Sequence, residues 1–311
     1  MKKRFKILAA MLCIAAFAVM AIGSGSTESE DKKEVVAGDT ADDSSSEDAE
    51  TEAETEAETE ADEETSVSIE EQVLVDQDGI KITAKEYVTD SIWGDGIKLL
   101  IENSSENDYS IGCDALIVND YMITDLFYCD IAAGKNANET MYLSSSGLAA
   151  AGIENVGKVE VYFRAYDSEY NTLFEKVYAE IQTSEYANMD TTPDDAGMEL
   201  YNANGIRIVG KTVDEDSFWG TAILLYCENT SGQNVGVSVD DMSINGFMMD
   251  PLYSTTVYDG KKSFDEITIF ESDLEENGIE AIEEVELKFH IFNADTYETI
   301  TDSDPITFSA Q

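Results

Sequence analysis

One eighteen-residue phrase occurs twice in the chain. Ser91 opens "SIWGDGIKLLIENSSEND" and Ser217 opens "SFWGTAILLYCENTSGQN", 126 positions further on. At this constant offset Gly79 falls on Gly205, Trp93-Gly94 on Trp219-Gly220, Glu102-Asn103 on Glu228-Asn229 and Asn119 on Asn245. The match continues with Gly134-Lys135 on Gly260-Lys261, Leu148 on Leu274, Gly152-Ile153 on Gly278-Ile279, Val159 on Val285 and Phe163 on Phe289, without a gap over about 85 residues. That period is too long for a solenoid unit, so each copy needs its own core. The 311 residues are therefore expected to hold two domains, 72–185 and 198–311, joined by 186–197.

Within each copy short β-rich runs alternate with turn residues. In the first copy strands are expected near Ile80–Tyr87, Ile97–Glu102, Ser110–Val118, Met122–Ile131, Thr140–Leu143, Lys158–Tyr166 and Leu173–Gln182. Seven strands at this spacing predict an all-β fold, two tandem immunoglobulin-like β-sandwiches. In "VEVYFRAY", Val159, Val161, Phe163 and Ala165 share the inward face, while Glu160, Tyr162, Arg164 and Tyr166 share the solvent face. Asn119-Asp120 and Asn245-Gly246 are dipeptides that adopt positive φ cheaply and close two-residue hairpins. "SSSGLAAAGI" and "ESDLEENGI" each place Ser or Asp before helix formers and end in Gly, which predicts a short capped helical turn.

The stretches "IVNDYMITDLFYCDIAAGKNANETMYLSSSGLAAAGI" and "LEENGIEAIEEVELKFHIFNADTYETITDSDPITF" resemble the uncharacterised, exported, tandem immunoglobulin-like proteins of anaerobic Gram-positive bacteria, and loosely the secreted mycobacterial antigen type of Ig-like sandwich. The resemblance covers roughly Gln72 to Gln311 and implies a fold and an extracellular location, without a catalytic residue to carry over. Neither copy has the Cys, Trp, Cys spacing of antibody domains.

Ahead of the repeats, "MKKRFKILAAMLCIAAFAVMAIG" sets four positive charges before an apolar run from Ile7 to Ile22, the layout of a secretory signal over residues 1–23. The run is short for a spanning helix, and an uncleaved anchor is the alternative. "AIGSGS" is similar to a lipobox with Ser24 in place of the lipid-accepting Cys, which argues against lipid attachment. Residues 24–71 then form an acidic linker: between Thr27 and Glu71 there are 20 Asp and Glu against two Lys and no aromatic residue. Such a stretch cannot bury a core, and glutamates at every second position repel one another, so it reads as a disordered tether.

The formal charge of −48, from 66 acids against 18 Lys and Arg, disfavours nucleic acid and anionic lipid as partners, leaving the membrane only through an uncleaved N-terminal segment. Cys113, Cys129 and Cys227 are an odd number for an exported chain; a Cys113–Cys129 bridge is one reading and small core hydrophobes the other. The single histidine, His290, lies on the face of "VELKFHIF" opposite Val285, Leu287, Phe289 and Ile291, a surface strand position rather than a general base. Asp194-Asp195 in "EYANMDTTPDDAG" raises a calcium site between the domains against a plain hinge. Gly134-Lys135 and Gly260-Lys261 lack the context of a phosphate loop and read as turns. The sequence thus indicates no catalytic residue, no metal and no cofactor.

Two surfaces stand out for binding. Tyr121, Met122 and Phe127, with Phe247, Met248 and Met249 in the second copy, gather apolar side chains beside the hairpin tip. Tyr162, Arg164 and Tyr178 form a Tyr/Arg group on the late strands of the first copy only. Packing of one domain on the other is the competing explanation for the tip, and sheet stabilisation for the Tyr/Arg group. The expected function is a non-enzymatic binding or display module that meets a protein or glycan at the bacterial cell surface, with a passive spacer, a secreted hydrolase or a calcium-dependent module as the alternatives.

Overall fold

The computed structural model describes residues 67–90, 92–124, 127–217 and 220–309, all within the compact unit Asp62–Gln311. The expected signal segment, most of the acidic linker and Trp219 lie outside the described residues. The regular structure of the described chain is nearly all β, and no helix in it is long and apolar enough to cross a membrane.

The first sandwich has β1 (Gln72–Gln77), β2 (Ile80–Asp90), β3 (Gly94–Asn103) and β7 (Asn136–Tyr142) in one sheet, ordered β1-β2-β3-β7. Its second sheet contains β4 (Tyr109–Val118), β5 (Tyr121–Ile123), β6 (Tyr128–Ile131), β8 (Lys158–Tyr166) and β9 (Thr172–Gln182), with β4 between β8 and the short pair β5 and β6. The chain crosses between layers after β3, β6 and β7, giving an immunoglobulin-like arrangement. The second sandwich repeats it. One layer has β10 (Met198–Ala203), β11 (Ile206–Ser217), β12 (Gly220–Asn229) and β16 (Lys262–Phe270). The other has β13 (Val235–Ile244), β14 (Phe247–Met248), β15 (Ser254–Val257), β17 (Val285–Asn293), β18 (Thr299–Asp302) and β19 (Ile306–Phe308).

Each pair of layers encloses a core. Ile80, Ile97, Leu116, Val161 and Phe163 are fully buried in the first, Ile208, Leu225, Val237, Phe289 and Ile291 in the second. These are the inward positions of alternating strands, as read in "VEVYFRAY". Cys227 lies in the second core and Cys113 and Cys129 in the first. Cys129 carries a free thiol, so no Cys113–Cys129 bridge is formed. Burial pushes the Cys129 thiol up to about 11 and that of Cys227 to about 12.

The hairpin and helix signals are realised in atomic detail. Asn119 and Asp120 have φ of 49° and 69°, and Asn245 and Gly246 of 50° and 83°, the two positive values that a type I′ turn requires. The Asn119 side chain accepts from Gly157 N and Lys158 N and donates to Asn155 O at 2.7 Å. Asn245 does the same with Glu283, Glu284 and Ala281. Each hairpin tip is thereby tied to the loop entering β8 or β17. The helical turns α1 (Ser145–Ala150) and α2 (Glu271–Glu276) end alike: Gly152 and Gly278 adopt φ of 66°. Ile153 N reaches Leu148 O and Ile279 N reaches Leu274 O at 2.9 Å, the longer bond of a Schellman ending. Their starts differ. Ser144 caps Gly147 N at 3.2 Å, whereas Phe270 precedes α2 and no side chain caps it, contrary to the expected Ser or Asp cap.

Three further features differ from the sequence reading. The strand expected over Met122–Ile131 is two pieces, β5 and β6, both on β4. The leading strands β1 and β10 join the sheets through a β-bulge each, their exposed alternation giving a weak period-2 signal. Glu160, expected on a solvent face, is 6% exposed.

Candidate interaction surfaces

Glu160 is buried because the two sandwiches share a sheet. β16 of the second runs parallel to β5 of the first, Lys262 beside Tyr121 and Ser263 beside Met122, so β10-β11-β12-β16-β5-β4-β8-β9 is one continuous path. Lys262 N donates to Asp120 O at 3.0 Å. β5 is three residues long and would be the edge of the first sandwich's sheet without β16, and an edge strand offers unpaired backbone groups to any strand that reaches it.

Aromatic rings fill the space around this seam. Tyr121 stacks on Phe264 with centroids 5.9 Å apart, Phe264 lies 5.3 Å from Tyr226, and Tyr162 meets Tyr258 edge-on at 4.9 Å. Such pairs contribute about 1 kcal/mol each beyond the area they bury. Lys262 Nζ sits 5.1 Å from the centre of the Tyr121 ring and donates to Thr191 O at 2.7 Å. Among the described residues the buried hydroxyls of Tyr121 and Tyr226 have no hydrogen-bond partner, and burial pushes the Tyr121 phenol up to about 12.

Beside the rings lies a four-charge cluster. Lys261 Nζ donates to Asp120 Oδ1 at 2.7 Å and to Glu160 Oε2. Lys158 Nζ donates to Asp120 Oδ1 at 2.9 Å and lies 3.5 Å from Glu160 Oε1. Tyr178 adds a hydroxyl to Glu160 at 3.2 Å. Two cations and two anions sum to zero, so each of these charges, Glu160 buried and the other three partly buried, has two partners of opposite sign and desolvation is offset. Burial alone would push the Asp120 carboxyl up, but the hydrogen bonds from Lys261 and Lys158 outweigh it and hold it below the usual carboxylate range. Burial likewise works against charge on Lys261, and its bonds to Asp120 and Glu160 win, raising it above the usual lysine value. Lys176 of the first sandwich pairs with Asp295 of the second farther along.

The cluster does not follow the repeat. Positions 120, 158 and 160 are Asp, Lys and Glu, while their counterparts 246, 284 and 286 are Gly, Glu and Glu. The lysine of the turn and the glutamate are kept, Lys261 answering to Lys135 and Glu160 to Glu286, whereas Asp120 and Lys158 belong to the first copy only. The scaffold asparagines are kept in both copies. Asn103 Nδ2 donates to Asn107 O and Ile131 O, and its Oδ1 accepts from Ser105 N and Oγ. Asn229 makes the same four bonds to Gln233, Val257 and Ser231.

The residues proposed from sequence for partner binding separate into three groups. Tyr121 and Met122 form the seam, and Tyr162 packs against Tyr258 in it. Phe127 and Met249, 8% and 5% exposed, are buried and present no surface to a partner. Tyr178, Arg164, Phe247 and Met248 are open: Tyr178 is 47% exposed, Arg164 faces Asp114 at 3.7 Å, and Phe247 and Met248 are 46% and 67% exposed. Leu252 and Phe270, both exposed, belong to the same end of the second sandwich, Leu252 bridging Thr268 two residues before Phe270. The sequence reading missed Lys261, Asp120 and Glu160; charged residues in so acidic a chain give no signal until the fold brings them together.

Elsewhere, His290 Nδ1 lies 2.6 Å from Asp302 Oδ1 and its ring stacks on Phe292, on the outer face expected from the strand pattern. The Asp194-Asp195 segment is tied down by cations: Asp194 pairs with Lys211 at 3.0 Å and Asp195 with Arg207 at 2.6 Å. Among the described residues no three His, Cys, Asp or Glu side chains converge as a metal site.

No family model matches the chain, and no curated protein matches it. Among solved structures, a chain of the SafA pilin in complex with the SafB chaperone from Salmonella enterica is similar at 11% identity, covering 69% of this chain and 88% of that one with a TM-score of 0.21. A protein of unknown function from Porphyromonas gingivalis W83 is similar at 10% identity, covering 66% and 87% with a TM-score of 0.20.

Proposed function

We propose that the protein is a non-enzymatic module of the bacterial cell surface, in which the acidic tether holds out two sandwiches locked into one block. The observation that supports this reading is the seam: a shared sheet, a ring cluster and a neutral charge cluster join the sandwiches, where a plain hinge would leave them independent. A fixed geometry suits a part that displays a surface at a set place, and the exposed end around Phe247 and Met248 is the surface it displays. Export rests on the charged and apolar N-terminal pattern, and the partner is a protein or glycan of the cell envelope.

Spin-label distances between an exposed site on β9 and one on β18 test the block directly. A single narrow distribution is expected in the full chain, and a broad one overturns the reading. Proteolysis of intact producing cells tests the location: loss of the protein from the surface fraction is expected, and full protection overturns it.

A further inference from the structure

Among the described residues, each half of the internal seam recurs without a partner strand in the other sandwich. Its acceptor is the hairpin edge after β4, Tyr121-Met122, and its donor is the outer edge of β16, Lys262-Ser263. At the repeat offset the second sandwich has an equivalent acceptor in β14, Phe247-Met248, and the first an equivalent donor in β7, Asn136-Ala137. Both are sheet edges: β14 ends the order β14-β13-β17-β18, and β7 ends β1-β2-β3-β7. Phe247 and Met248 are exposed, as are Asn136 and Asn138 on β7.

We infer that the β14 edge of one molecule takes the β7 edge of a second copy, repeating between chains the parallel pairing that β5 and β16 make within one. The backbone geometry is already matched. β7 is registered on β3 as β16 is on β12, Glu102 opposite Asn136 and Glu228 opposite Lys262. The N–H of Lys262 faces Asp120 O across the seam, and the N–H of Asn136 occupies the same place on its own edge.

The charges fit as well. Lys135 stands in the same turn as Lys261, its N–H on Ala132 O as that of Lys261 is on Tyr258 O, and its side chain is exposed. On the acceptor side the places of Lys158 and Glu160 are held by Glu284 and Glu286, both exposed. Lys135 would thus meet two carboxylates with no competing lysine at position 284. The ring packing is thinner, since Leu100 and Asn138 replace Tyr226 and Phe264, while Phe247 replaces Tyr121 without an unpartnered hydroxyl.

The operation joins the first sandwich of one copy to the second of the next. Such a contact is heterologous and leaves a free acceptor and a free donor at the ends, so it grows as an open chain. Within one molecule the joining segment 186–197 supplies an effective concentration on the order of millimolar, which the contact between molecules lacks, so the association is weak and reversible in dilute solution.

This inference borrows from the reading above only the geometry of the seam; a protein that stays monomeric would sink it and leave that reading standing. The test is sedimentation velocity of the full chain over a wide concentration range at physiological salt. Sedimentation is expected to rise steadily with concentration, with Met248→Glu abolishing the rise and Lys135→Glu weakening association roughly tenfold, the size of one charged contact. Lys135→Glu combined with Glu286→Lys is expected to restore it. Met248 and Lys135 are both exposed, and matching unfolding midpoints verify that the variants fold. A concentration-independent monomer overturns the inference, and so does association that Met248→Glu and Lys135→Glu leave unchanged.

Discussion

Lys261, in the turn that leads into β16, places its ammonium 2.7 Å from the carboxylate of Asp120, 141 residues earlier in the chain. The same ammonium reaches Glu160, so one side chain of the second sandwich balances two carboxylates of the first. Lys158 does the same from within the first sandwich. Two of these four charges, Asp120 and Lys158, have no counterpart in the other copy.

Lys261→Met removes the ammonium that the second sandwich gives the Asp120 and Glu160 carboxylates. Lys158 remains, which limits the loss to about 2 kcal/mol rather than the larger cost of a bare buried carboxylate. Denaturant unfolding measures that loss, and the spin-label distribution between the sandwiches should broaden in the same variant.

The pH range of the seam follows from the directions of the shifts. Asp120 titrates below its ordinary value, so its contribution is complete above the unfolded carboxylate value of about 4 and is lost as pH falls through the folded one. Lys158 and Lys261 titrate above their ordinary value, so theirs is complete below about 10.4 and is lost as pH rises through the folded one. The difference in stability between the parent and Asp120→Asn is therefore expected to stay level between about pH 5 and 9 and to vanish in acid. A slope near neutrality in that difference would contradict the cluster as described.

Asn103 and Asn229 each satisfy two carbonyls and two donors at the loop closing β3 or β12. Replacement by Ala leaves buried carbonyls unpaired and should cost about 2–3 kcal/mol at either site. Asp at the same place presents a carboxylate to those carbonyls and should cost more at neutral pH than in acid. Urea midpoints of the four variants distinguish these outcomes.

Gly94 and Gly220 are repeat partners with φ of 79° and 133°, yet they should respond unequally to Ala. A Cβ on Gly94 meets the Ser145 hydroxyl, which can rotate, so the cost is about 1–2 kcal/mol from the backbone alone. On Gly220 it falls 2.2 Å from Ile269 O and 2.6 Å from Glu271 N, backbone atoms that cannot yield without opening β12 from β16. Thermal unfolding should show the larger loss for Gly220→Ala.

Much of the fold is legible because its determinants are local. The hairpin dipeptides, the Gly that closes each helical turn and the alternation through Val159 to Ala165 each act within a few residues, and the offset copies confirm one another. The leading strands β1 and β10 escaped notice because bulges and exposed faces blur their period. The seam escaped for a different reason. A parallel contact of two residues per strand leaves no pattern in either segment, and the apolar tip at Tyr121 and Met122 looks the same whether it meets a partner or the chain's own second half.

The span between Asp120 and Lys261 also orders events in folding. Hairpins such as β8 with β9 close short loops, whereas the joint between the sandwiches must wait on a loop of more than a hundred residues. The β5 edge is made by a local hairpin with β4, and the β16 edge by pairing with β12. The joint between the two halves therefore carries a larger loop-closure cost than any of these hairpins.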